Sequence, residues 1–285
     1  MPESIQNWLS RSQQILLDHS KQEDVPLLLQ VLLAFHLNTD RPHIISHPEQ
    51  TISDDVLVAL NADVQKLAGG YPLPYLLGSW EFYELHFKVT PDVLIPRPET
   101  ELLVENCIQW LKNQPTIAAP SILDLGTGSG CIPIAICKQM PGSHAIAADL
   151  SFAAIKVAKC NAESQSVDDR IGFLVSDLCT AIEKNFHVVT ANLPYIPSRV
   201  LDSLDVAKYE PRLALDGGNY GTELMDELLT LLPKHLRNPG LILLEHQDDQ
   251  WEHLREIAAG AFPSGTITKI KDYSGKDRIL RIELL

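Results

Sequence analysis

Three stretches of the chain hold residues whose types and spacing could do chemistry. In the first, the apolar run Ile122-Leu123-Asp124-Leu125 enters Gly126-Thr127-Gly128-Ser129-Gly130. Alternate glycines permit backbone angles closed to other residues and let a ligand come close. A helix start just beyond them would offer free N–H groups. In the second, Asp149 ends the next apolar run, 149 − 130 = 19 residues past Gly130. A carboxylate so placed can accept hydrogen bonds from ribose hydroxyls. Together the two point to a nucleoside-bearing cofactor. The dinucleotide fingerprint fails, because its third small residue would fall on Cys131. A phosphate-binding P-loop is excluded, since no Gly-Lys-Ser/Thr follows. The third stretch, Asn192-Leu193-Pro194-Tyr195, follows the apolar run His187–Ala191.

Elements must hold these residues in place. From residue 99 on, helices alternate with strand-like runs at Ser121–Leu125, His144–Ala148, Ile171–Val175, His187–Ala191 and Leu241–Leu244. Such alternation predicts a mostly parallel sheet covered on both faces. In an open sheet of this kind, ligands bind outside the carboxyl ends of the strands, where all three stretches sit. Ile267–Ile270 and Arg278–Leu284 read as a C-terminal antiparallel hairpin. The expected domains are a helical bundle over 1–70, a β-hairpin connector over 71–98, and an α/β domain over 99–285. In the bundle, Ile5, Trp8, Leu9, Ile15 and Leu16 keep helical spacing, Pro26 opens a second helix, and Ser53 caps a third that ends at Gly69-Gly70. The bundle is read as plain packing or as a partner-docking surface. Pro72, Pro74, Pro91, Pro96 and Pro98 mark the connector as non-helical, with a hairpin turning near Tyr83-Glu84.

Composition narrows the function classes. The chain has 285 residues, with 45% hydrophobic and 21% charged, which excludes a disordered chain. Its 23 Lys and Arg against 37 Asp and Glu give a net charge of −14, a poor match to a phosphate backbone. The longest apolar run, Val25 to Leu37, is shorter than the roughly 20 residues that span a bilayer. No signal-peptide pattern or metal spacing is visible, and the five cysteines read as reduced core thiols. A cytoplasmic protein that binds no metal, no membrane and no nucleic acid directly, and acts as a monomer, is expected.

The Asp124-to-Gly130 pattern resembles the S-adenosyl-L-methionine (AdoMet)-dependent methyltransferases. That resemblance implies a Rossmann-like fold in which Gly126, Thr127, Gly128, Ser129 and Gly130 line the AdoMet site. Asp149 would hold the ribose, Asp177, after the third strand, would border the adenine, and Asn192 would touch the cofactor as well as the acceptor. Asn192-Leu193-Pro194-Tyr195 resembles the N-P-P-Y or N-L-P-Y motif of methyltransferases that modify a planar nitrogen, either an amide or an exocyclic base amine. An amide nitrogen is a poor nucleophile because its lone pair is delocalised. The Asn192 oxygen and the Leu193 carbonyl could accept both of its hydrogens and favour charge developing there. Pro194 would supply rigidity and shape, and Tyr195 could lie against the acceptor. The motif alone does not separate glutamine from adenine.

Longer stretches do. Pro74-Tyr75-Leu76-Leu77-Gly78, Val93-Leu94-Ile95-Pro96-Arg97-Pro98-Glu99-Thr100-Glu101, Glu210-Pro211-Arg212-Leu213-Ala214-Leu215-Asp216-Gly217-Gly218, Leu244-Glu245-His246 and Asp272-Tyr273-Ser274-Gly275-Lys276-Asp277-Arg278 resemble the HemK/PrmC family. These are protein-(glutamine-N5) methyltransferases acting on the Gly-Gly-Gln loop of class-1 peptide chain release factors. The resemblance implies AdoMet as cofactor, a release factor as partner and substrate, and Asn192 as the group that binds the glutamine amide. It places Arg97 and Glu99 at the mouth of the C-terminal domain, where either binds substrate or pins the hairpin to the next helix, and it casts Glu245 and His246 as structural. Leu193 replaces the family's usual Pro, but its backbone carbonyl remains available. The alternative is an N6-adenine methyltransferase acting on RNA or DNA.

Overall fold

The computed structural model describes residues 3–19 and 24–285. The chain divides into two compact units, Met1–Gly78 and Ser79–Leu285.

The first unit is helical. A short strand β1 (Glu3–Ser4) pairs antiparallel with β2 (Thr51–Ile52), beside α1 (Ile5–His19), α2 (Val25–His36), α3 (Arg41–Ser46), α4 (Asp54–Ala68) and α5 (Leu73–Leu77). Ile5, Trp8 and Leu16 of α1 and Leu60, Val64 and Leu67 of α4 are buried, as their spacing predicts. Asp24 caps α2 by accepting from the Leu27 N–H, and Pro26 falls in the first turn, where a missing N–H costs nothing. Ser53 sits at the N-cap of α4, but its side chain makes no capping bond. Helices α3 and α5 escape sequence reading because they are short and led by Pro42 and Pro74. Helix α5 lies within the stretch expected to be non-helical, and its proline occupies the tolerated first turn. Gly78, at φ 67°, ends it.

The second unit opens with a hairpin, β3 (Ser79–Phe82) and β4 (Leu85–Lys88). Tyr83 and Glu84 both take positive φ, the geometry of a two-residue turn. The turn is held by the Tyr83 N–H donating to Glu101 Oε1 at 2.8 Å. The expected pin to the next helix therefore exists, on Glu101 rather than Arg97 or Glu99. Phe82 and Phe87 are buried edge-to-face in the core of this unit.

Helix α6 (Glu101–Lys112) leads into a seven-stranded sheet of β5 (Ser121–Leu125), β6 (His144–Asp149), β7 (Ile171–Val175), β8 (Phe186–Ala191), β9 (Leu236–Glu245), β10 (Thr266–Lys271) and β11 (Asp277–Leu284). The strand order is β10-β11-β9-β8-β5-β6-β7. Strands β5 to β9 are parallel, and β11 runs against its neighbours β9 and β10. Alternate residues feed two apolar layers. Ile122, Val188, Leu241 and Leu243 join the layer of α6 and α7 (Cys131–Gln139). Leu123, Val189, Ile242 and Leu244 join that of α10 (Glu223–Leu231) and α11 (Trp251–Ala261). Helices α8 (Phe152–Ser164) and α9 (Ser198–Leu201) complete the unit. Four cysteines are buried, but Cys160 on α8 is exposed, a correction to the expectation of core thiols.

The order reverses at β5, whose neighbours are β6 on one side and β8 on the other. Crevices form at such switch points. Leu125 and Ala191 are register partners there, so the residues after them, Gly126 and Asn192, emerge side by side. Asn161 of α8 ties this corner to the hairpin. Its amide accepts from the Lys88 N–H at 2.7 Å and donates to the carbonyls of Lys88 and Ser129, at 3.0 and 2.8 Å. Asn161→Ala is expected to cost about 1–2 kcal/mol, because buried partners lose their bonds. Urea unfolding checks this, and an unchanged midpoint would remove the role.

Candidate functional site

A cavity of about 260 Å³ opens at the switch point. It is lined by the glycine turn, Ala148–Ser151 at the end of β6, Ser176–Leu178 after β7, and Asn192–Pro194 after β8. Residues from 91–97 and 211–214, with Thr100, Cys131, Ile132, Ala154 and Leu224, also line it.

The turn keeps its glycines for different reasons. Gly126 takes φ 67°, and a Cβ there would lie 2.9 Å from Leu193 Cδ2. Gly128, at φ 55°, is held by its backbone angle, since a Cβ there would meet only the Gly126 carbonyl oxygen at 4.0 Å. Gly126, Thr127, Gly128 and Ser129 line the cavity, whereas Gly130 does not. Gly130, at φ 80°, caps α7, and a Cβ on it would press on Ala158 and Ile134 at 3.0 Å. Its work is helix packing, which a glycine spacing cannot distinguish from ligand contact.

Asp149 serves the turn directly. Its Oδ2 accepts from the Gly128 N–H at 2.9 Å and its Oδ1 from the Ser151 N–H at 2.8 Å. Burial pushes its carboxyl above the ordinary aspartate value, and these two hydrogen bonds pull it back. Each oxygen keeps a further lone pair for a ligand hydroxyl. Asp124 lies beneath the turn, fully buried. Burial raises its pKa to about 7, opposed by the Thr190 hydroxyl, which donates to Asp124 Oδ1 at 2.7 Å. Asp177 lines the cavity through a turn in which its carbonyl accepts from Thr180 N–H and Oγ1.

The acceptor side differs from expectation in its supports. Asn192, Leu193 and Pro194 line the cavity. Tyr195 does not, and its hydroxyl donates to Glu245 Oε1 at 3.3 Å. Burial, chiefly, and Glu245 hold that phenol well above its ordinary pKa. Asn192 Nδ2 donates to Thr100 Oγ1 at 3.0 Å, and Thr100 Oγ1 donates to Glu245 Oε2 at 2.7 Å. Glu245 is therefore one hydroxyl away from Asn192. Arg97 lines the cavity and pairs with buried Glu210 at 2.5 Å, which also accepts from the Ile95 N–H. That pair joins the two lining segments, 91–97 and 211–214. Gly217 and Gly221 pack on the Pro194–Tyr195 backbone, where a Cβ on Gly221 would lie 2.3 Å from the Tyr195 carbonyl oxygen.

Sequence reasoning missed Thr100, Glu210 and Asn161 as supports of the site. Their partners lie 92, 115 and 73 residues away along the chain. Thr100 and Glu210 each fall inside a stretch that resembles the family, which is their one signal, and Asn161 has none. Among the described residues, no group of three or more His, Cys, Asp or Glu could hold a metal ion, and no helix is long and apolar enough to cross a membrane.

The residues fit a nucleoside cofactor. A glycine cradle, a carboxylate with spare lone pairs, and the apolar lining of Leu150 and Ile132 meet in one cavity.

Comparison with known proteins agrees with this geometry. The family model described as PrmC N-terminal domain matches residues 7–78, and that of ribosomal protein L11 methyltransferase (PrmA) matches residues 103–207. A protein of Coxiella burnetii named release factor glutamine methyltransferase is 37% identical over 253 residues, covering 88% of this chain and 89% of its own. Its namesake in Aliivibrio fischeri is 34% identical over 285 residues, covering 97% and 96%. Among solved structures, a ribosomal protein L11 methylase from Lactobacillus delbrueckii subsp. bulgaricus has a TM-score of 0.51 at 20% identity, covering 69% of this chain and 83% of that one. A Thermus thermophilus 16S rRNA N2 G1207 methyltransferase, solved with AdoMet and guanosine, has a TM-score of 0.52 at 16% identity, covering 73% and 50%. These two likenesses establish the methyltransferase fold.

Proposed function

The chain belongs to the family of release factor glutamine methyltransferases, and from that premise we propose how it works. It transfers one methyl group from AdoMet to the side-chain amide nitrogen (N5) of the glutamine in the Gly-Gly-Gln loop of a class-1 peptide chain release factor. The observation that carries this reading is the adjacency of Gly126 and Asn192 across one cavity, with a cofactor cradle on one strand end and an amide acceptor on the next.

AdoMet, when bound, supplies an electrophilic methyl carbon whose bond to sulfur breaks as the new bond to nitrogen forms. The protein's part is placement. Gly126 to Ser129 would give the cofactor close backbone approach, Asp149 would accept from its ribose, and Asp177 would border its base. Asn192 Nδ2 is committed to Thr100, which leaves Oδ1 to accept one N–H of the glutamine amide. The Leu193 carbonyl accepts the other. These two acceptors fix the nitrogen's direction and stabilise the positive charge it gains on attack. The N–H they hold then loses its proton to water. Pro194 shapes the same wall. Tyr195, bound to Glu245, holds the tetrapeptide from behind.

Adenine is the acceptor the tetrapeptide would equally suit. The net charge of −14 favours the protein substrate. Binding to RNA or DNA is expected to be undetectable, even at low salt. Filter binding at two salt concentrations checks this, and tight, salt-sensitive binding would overturn it. We also assign the protein to the cytoplasm, as a monomer.

The reading as a whole is tested by offering radiolabelled AdoMet to a mixture of unmethylated release factor and total RNA. Label is expected in the protein fraction. Label confined to RNA would transfer the reading to adenine.

A further inference from the structure

We propose that Glu245 is a positioning residue that sets which way the Asn192 amide points, acting through the Thr100 hydroxyl. The inference rests on the reading of Asn192 as the group that receives the acceptor amide.

An Asn side chain has nearly the same shape after a half-turn that exchanges Oδ1 and Nδ2. Chemically the two poses are opposite. One offers an oxygen to the N–H of the acceptor; the other offers N–H against N–H and binds nothing. Thr100 alone does not choose, because a hydroxyl both donates and accepts. Glu245 does choose. Its Oε2 takes the Thr100 hydrogen at 2.7 Å. An ionised carboxylate can only accept, so that hydrogen is committed. Thr100 then presents lone pairs to Asn192, and Nδ2 turns toward them at 3.0 Å. Oδ1 is left facing the cavity. Thr100 is 2% exposed and Glu245 1%, so water does not compete for these bonds. The second carboxylate oxygen accepts from Tyr195, so one side chain steadies both ends of the tetrapeptide.

Protonation would undo the choice. A neutral Glu245 could donate to Thr100, whose hydrogen would then be free to point at Asn192 in its reversed pose. The groups that act on Glu245 are Arg278 of β11, Tyr195, Glu99 and the Cys131 thiol of α7. Arg278 is itself paired with Asp272. Burial raises Glu245 to about 7; the bonds from Thr100 and Tyr195 and the charge of Arg278 oppose this, and Glu99 adds to it. The carboxylate, and with it the productive pose, prevails above that pH and is lost as pH falls through it.

Four proteins test this: wild type, Glu245→Gln, Thr100→Val and Thr100→Ser. With release factor as substrate, Glu245→Gln and Thr100→Val are expected to lower kcat about tenfold while AdoMet affinity stays within about twofold, the scale of one lost hydrogen bond. Thr100→Ser, which keeps the hydroxyl, should restore most of the rate lost in Thr100→Val. The fall in kcat below pH 7 should vanish in Glu245→Gln. A wild-type kcat and pH profile in Glu245→Gln would overturn the inference. A second readout needs no substrate. The Asn192 side-chain NH₂ signal in ¹⁵N NMR, identified by its loss in Asn192→Ala, should titrate near pH 7 in wild type and stop titrating in Glu245→Gln. An unmoved signal sinks the inference even if glutamine is methylated. A moved signal with no methyl on the release factor sinks the assigned substrate instead and leaves the orienting role standing.

Discussion

Replacing Asn192 by alanine is expected to lower turnover by roughly 100-fold or more while leaving AdoMet affinity nearly unchanged, the scale of losing one preorganised acceptor contact. A hundredfold corresponds to about 2.7 kcal/mol at the transition state. The asymmetry follows from position. Asn192 leaves the end of β8 beside the glycine turn, but it supports neither the turn nor Asp149, which bond to each other and to Ala148 and Ser151. Truncating Asn192 also frees Thr100 Oγ1 of its donor, yet Thr100 keeps Glu245, so the fold is retained. Steady-state kinetics with calorimetric AdoMet binding separates the two effects. Equal losses in rate and cofactor affinity would show that Asn192 shapes the cofactor site instead.

Asp149→Ala should do the reverse, weakening AdoMet binding by about 1–3 kcal/mol, the cost of unmaking a charged hydrogen bond. Two causes add. The ribose loses its acceptor, and the Gly128 N–H loses the carboxylate that holds the turn in its positive-φ path. Asp149→Asn should not rescue it. Its Oδ1 could still take one backbone N–H, but its NH₂ would face the other as a second donor. Titration calorimetry measures the change, and an unaltered Kd would remove Asp149 from the cofactor site.

The parts of this site that could be read from sequence share a cause. Strands covered on both faces read as short continuous apolar runs, so Ser121–Leu125 and the run ending at Ala191 announce themselves, and the turn and tetrapeptide that follow are thereby placed at strand ends. Their adjacency follows from strand order, which periodicity does not encode. The Thr100–Asn192 and Thr100–Glu245 bonds join segments 92 and 145 residues apart. Single polar contacts of that kind leave no repeating pattern. Gly130 and Tyr195 show the converse limit. Both stand within motifs that line the cavity, yet one packs α7 on α8 and the other points at Glu245. Helices α3 and α5 were illegible because six and five residues are too few to display an apolar stripe.

The central claim, methyl transfer to a release factor glutamine, is tested most directly by peptide mass spectrometry. An unmethylated class-1 release factor, incubated with this protein and AdoMet, should gain one methyl on the Gly-Gly-Gln glutamine, and the gain should disappear when that glutamine is substituted. An unmodified glutamine, under conditions where calorimetry shows AdoMet bound, would contradict it.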